Sequence, residues 1–109
     1  HNEDGSATNV YYIASADLAQ GTGGQKLNSD GVGNDADQSI SGILRLYNPS
    51  STTFVKHFIA TTSSSHQAPA ARHEFMAGYF NTTTALTRFQ FKMTSGNIDA
   101  GDICLYGIA

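Results

Sequence analysis

Residues 86–93, Leu-Thr-Arg-Phe-Gln-Phe-Lys-Met, alternate almost without a break: Phe89, Phe91 and Met93 fall on one side, Arg88, Gln90 and Lys92 on the other. Successive side chains of a strand point to opposite faces, so this period predicts a half-buried antiparallel strand with its charges in water. A helix would scatter the same residues around its circumference. The period recurs along the chain. Ile40–Tyr47 reads as a strand, as does Arg72–Phe80. Thr52–Thr62 sets Phe54, Phe58 and Ala60 against Val55, His57 and Ile59. Apolar groups on both faces predict a central strand there. Asn9–Ala14 is a shorter β-prone run, with Tyr11 and Ile13 opposite Val10 and Tyr12. Ile103–Ile108 sets Ile103, Leu105 and Gly107 against Cys104, Tyr106 and Ile108.

Turn formers separate these runs. Asn48-Pro49-Ser50-Ser51 is short enough to join its two neighbours as an antiparallel hairpin. Ser63–Ala70 reads as loop and Asn81–Thr84 as a polar turn. Gly96-Asn97 and Gly101-Asp102 frame the last link, so the final strand is expected to be pinned into a sheet rather than frayed. Only a helical turn at Ser15–Leu18 interrupts the β pattern, and glycines stop it at once. The fold expected is all-β: an antiparallel β-sandwich, jelly-roll-like, with an open barrel as the alternative.

A chain of 109 residues fits one domain, residues 1–109, with a core that can stand without metals or disulfides. Opening on His1-Asn2-Glu3 without an initiator Met, it reads as a C-terminal fragment of a longer chain. The single cysteine, Cys104, allows no internal disulfide. Gly21–Gln38 holds five glycines and three aspartates and reads as one long loop, broken at most by a short strand at Lys26-Leu27. Loops of that length in small domains carry function or disorder.

The net charge is -3, and the six basic residues are scattered, which excludes a nucleic-acid footprint. No apolar run is long enough for a membrane-spanning helix, so membrane insertion is not expected. Only 14% of residues are charged, against about a quarter in ordinary soluble domains. So little charge leaves little repulsion between copies, and self-association is expected.

The acidic stretch "DGVGNDAD" offers Asp30, Asn34, Asp35 and Asp37. Hard cations such as calcium take several oxygen ligands from flexible loops, and Asp30, Asp35 and Asp37 are the candidate metal ligands. The spacing lacks the closing glutamate of a calcium loop, so solvated turn residues are the plainer reading and no cofactor is expected. His57, His66 and His73, with Glu74, could converge across strands, but none of the tight spacings of a zinc site is present. No nucleophile, base and acid stand in a recognisable pattern, and the two glutamates suggest no glycosidase pair. Cys104 sits where a free thiol serves as a small apolar group. No enzyme is expected. The tyrosines are more informative, since each offers a rigid apolar plate with a hydroxyl at its end, suited to a sugar ring or a protein contact. Tyr11, Tyr12, Tyr47 and Tyr79, with Asp30 and Asn34 on the long loop, are the candidate ligand-binding residues. The absence of Trp argues against a strong stacking platform.

The segment Thr84–Ala109, ending "SGNIDAGDICLYGIA", is similar to the ending of a group of bacteriophage structural proteins. There a strand of the form I-x-x-I-x-F precedes an SGN-hydrophobic-x-x-G turn and a last strand reading LYGI. Leu86, Phe89 and Phe91 fit the first part, Ser95–Gly101 the turn, and Leu105-Tyr106-Gly107-Ile108 the close. Ile43–Asn48 and Phe54–Thr61 resemble the paired strands of the same proteins loosely, and the first 38 residues carry no likeness. The resemblance implies a β-sandwich module of a phage virion, at the tail: a fibre, a spike or a tail-associated protein. It implies a homotrimer in contact with other virion proteins and, in some members, with host cell-surface polysaccharide. It transfers no catalytic residue. The alternative is a carbohydrate-binding module of a secreted bacterial enzyme.

Overall fold

The computed structural model describes residues 2–7 and 9–108; His1, Thr8 and Ala109, the last of which ends the phage-like segment, lie outside the described residues. Three strands form one antiparallel sheet: β1 (Ile40–Leu46), β2 (Lys56–His66) and β3 (Ala70–Phe80), in the order β1-β2-β3. The only helical element among the described residues is a single 3-10 turn at Ala14–Ala16. The chain is therefore all-β, and the strand with apolar groups on both faces lies at the centre.

The register explains where the strands begin and stop. Ile40 pairs with Ser64 and Leu46 with Phe58, while Lys56 pairs with Phe80 and His66 with Ala70. β2 thus runs four residues later than alternation alone suggests. Ser63, Ser64 and Ser65, expected in a loop, are strand because β3 supplies His73, Arg72 and Ala71 opposite them. Phe54, expected beside Phe58, is left in the β1–β2 connection, 68% exposed. Asn48 makes the turn out of β1 at a φ of 49°, a left-handed conformation that Asn tolerates.

One face of the sheet is covered and the other open. The covered side of β2 presents Lys56, Phe58, Ala60, Thr62 and Ser64, all buried. Residues 27–29 cross it as a polar clamp. The Thr62 hydroxyl donates to the Leu27 carbonyl (2.7 Å), the Asn28 amide to the Ser64 hydroxyl (2.9 Å), and Ser29 N–H and Oγ–H to the Glu74 carboxylate (3.0–3.2 Å). Lys26-Leu27 is accordingly no strand: it hydrogen-bonds to side chains of the sheet rather than extending its ladder. Phe58 and Ala60 are the only buried apolar side chains among the described residues. The Phe58 ring packs 5.4 Å from that of Phe80.

Lys56 is fully buried, and its ammonium donates to the Thr82 carbonyl at 3.1 Å. Among the described residues no carboxylate pairs with it. A single carbonyl returns only part of the hydration a buried ammonium gives up. Lys56→Met, which keeps the length and drops the charge, should therefore raise stability by about 1–2 kcal/mol. A urea midpoint unchanged or lowered would count against this.

Three expected strands do not form. Asn9–Ala14 is irregular and ends in the 3-10 turn, and neither 86–93 nor 103–108 is paired. Alternation makes a segment able to be a strand, but a strand also needs a neighbour to take its backbone hydrogen bonds. The last segment is therefore not pinned into a sheet: every residue from Thr87 to Ile108 is exposed. The radius of gyration is 15.6 Å, against roughly 13 Å for a compact chain of this length.

Candidate functional site

The expected ligand-binding residues converge in part. Tyr11 and Asp30 meet at a cavity of about 220 Å³, which they line with Ile13, Ser15, Ser29 and Arg72. β3 carries Arg72 on its covered side, opposite Ser64, and the clamp at 27–29 delivers Asp30 to it. Arg72 Nη2 lies 2.6 Å from Asp30 Oδ2, and Arg72 Nη1 donates to the Tyr11 hydroxyl at 3.5 Å. His66, at the end of β2, places Nε2 3.6 Å from the same carboxylate oxygen. The local order is hydrogen-bonded throughout. Asp30 N–H donates to the Asn28 side chain, and Gly33 N–H and the Gln38 amide donate to the carbonyls of Ser65 and His66.

The result is a guanidinium–carboxylate pair beside a tyrosine plate that is 64% exposed. Arg72 and Asp30 neutralise one another, and Glu74 nearby is occupied by Ser29. Such a lining offers fixed donors, fixed acceptors and an apolar surface without a net positive field. The small cavity adjoins a trough of about 1450 Å³, which shares Tyr11, Ser29 and Arg72 and runs past Tyr12, Met76 and Phe80.

The other candidates lie elsewhere. Tyr12 is on the trough, where its hydroxyl donates to the Asp17 carboxylate. That bond, with the carboxylate's charge, holds the phenol above its ordinary pKa. Tyr47 is exposed just past β1. Tyr79 stands on the open face, its ring 5.7 Å from that of His57. Asn34 is exposed on the long loop, away from the cavity lining. The structure does not gather Asp30, Asp35 and Asp37: among the described residues no three His, Cys, Asp or Glu side chains could hold a metal ion together. Asp30 is turned to Arg72, while Asp35 and Asp37 stay in solvent. Nor do the histidines converge, since the strand period puts His57 and His73 on the open face and Glu74 on the covered one.

Arg72 and Ser29 complete the site without having been expected as ligand residues, and His66, considered only with the other histidines for zinc, joins them at Asp30. Arg72 could have been found by one signal. It shares a face with Met76 and Phe80, and a guanidinium on an otherwise apolar strand face needs acceptors, of which a carboxylate is the strongest. No known protein family, curated protein or solved structure matches this chain.

Proposed function

We propose that this chain is a non-enzymatic β-sandwich module of a bacteriophage tail, which assembles with copies of itself and holds a host-surface glycan at the Tyr11–Asp30–Arg72 cavity. The resemblance of Thr84–Ala109 to phage structural proteins supports the location. The cavity supports the binding, and it is the observation that carries this reading. A sugar ring needs a plate to stack on and a fork of fixed donors and acceptors at its rim; Tyr11 supplies the first, Arg72 with Asp30 the second. The neutral lining favours an uncharged sugar over an acidic one. The adjoining trough gives a polysaccharide chain somewhere to continue.

The cavity equally suits the second reading, a carbohydrate-binding module of a secreted bacterial enzyme. Oligomeric state separates the two, because the phage reading requires a trimer and the rival a monomer. A glycan array followed by calorimetry on the best hit tests the site itself. Tyr11→Ala and Arg72→Ala should each weaken binding about tenfold or more, a loss of roughly 1.4 kcal/mol. An empty array, or a hit indifferent to both substitutions, would sink the glycan assignment.

A further inference from the structure

The open sheet face and the chain's last segment are each an apolar surface left in water. On the open face, Ile43, Thr61 and Phe75 form one cross-strand row, and Arg45, Ile59 and Ala77 the next, with Tyr79 beside His57 beyond them. Ile43 is 58% exposed and Phe75 79%. Exposed apolar surface of this extent marks an interaction site. Residues 86–108 form an arm whose Phe89, Phe91, Ile98, Ile103, Leu105 and Ile108 are all exposed. Within it Gly96 and Gly101 turn the chain at φ of 74° and 144°.

Charge says how the two fit. Arg45 is the one permanently charged side chain on the open face, accompanied by His57 and His73. The arm carries both signs, Arg88 and Lys92 in its first half and only Asp99 and Asp102 in residues 98–108, so it is the second half that suits Arg45. The root of the arm says which copy it serves. Thr82 accepts from Lys56 on the covered side, and Leu86 N–H donates to the Pro49 carbonyl at 2.8 Å. Anchored at the end of the sheet where β1 turns into β2, the arm leaves its own open face uncovered, and the face of a second copy is the one it can serve.

We infer that the arm, residues 86–108, of one copy lies across the open sheet face of a second copy, apolar side to apolar side, with Asp99 and Asp102 towards Arg45. The arm then supplies in trans an apolar cover for the open face. This rests on the assembly half of the proposed function and is independent of the glycan site.

Cys104, the only cysteine, makes the contact testable. Tagged wild-type chain is mixed with an untagged chain carrying Cys104→Ser and Ala77→Cys, then oxidised and run without reductant. A disulfide between tagged and untagged chains is expected, well above that given by a Val10→Cys, Cys104→Ser control. By light scattering, Arg45→Glu should weaken association about tenfold, and Asp99→Lys with Asp102→Lys should restore it. An oligomer with no such disulfide and no response to Arg45→Glu would overturn the arm contact while leaving assembly standing. A monomer would overturn both.

Discussion

Phe58→Ala should cost this protein roughly 3–5 kcal/mol, read as a fall in the urea midpoint. The ring is 7% exposed, and apart from Ala60 it is the only apolar side chain that deep among the described residues. It packs on Phe80 and nearly touches Gly78, where an added Cβ would meet its Cε1 and Cζ at 2.9 Å. The sheet has little else to close around the hole, so the cavity term is felt in full. A domain of this size is stable by only about 5–15 kcal/mol, so the loss is a large share of the total. Val10→Ala, at a side chain 99% exposed, should change the midpoint by no more than about 0.5 kcal/mol. If the two substitutions had equal effects, the covered face would not be the core.

Gly42→Ala should destabilise the β1–β2 pairing, against the ordinary preference of strands for almost any residue over glycine. A Cβ at Gly42 would stand 2.5 Å from the Thr61 carbonyl oxygen and 2.9 Å from Thr62 Cγ2. The first of these is backbone within the sheet and cannot turn aside. β1 would have to draw away from β2 along a ladder that runs from Ile40–Ser64 to Leu46–Phe58. The cost of such overpacking is about 1–3 kcal/mol. Hydrogen exchange should show it first, as lost protection in β1 with β2–β3 kept. A stabilised Gly42→Ala would mean that the two backbones do not approach so closely.

These two positions show how far alternation reaches. Phe58 is legible as a strand residue from its spacing, but not that its face rather than that of Ile59 is the buried one. The tight fit at Gly42 is not legible, because a close approach between two backbones leaves no trace in the residue pattern. The candidate site divides in the same way. Tyr11 and Asp30 can be picked out by chemical type, as a plate and an acid on a long loop. Their meeting is not legible, since 19 positions separate them and the group that joins them, Arg72, lies on a strand far down the chain. Asp35 and Asp37, equally plausible by type, stay in water because the loop is fastened at Gly33 and Gln38 to the end of β2 instead of closing on an ion.

By itself the sequence determined that the chain is all-β, that strands lie within Ile40–Tyr47 and Arg72–Phe80, and that Asn48-Pro49 turns between the first and second. Each of these depends on local conformational preference and on the side-chain period, which neighbours in sequence carry. Tertiary structure alone decided that the serines at 63–65 are strand, that Lys56 is buried, and that one sheet face is clamped while the other stands open. It also left the well-alternating segment 86–93 unpaired. A strand is completed by the hydrogen bonds of a neighbour, and neither the neighbour's identity nor its register is written in the segment that needs it.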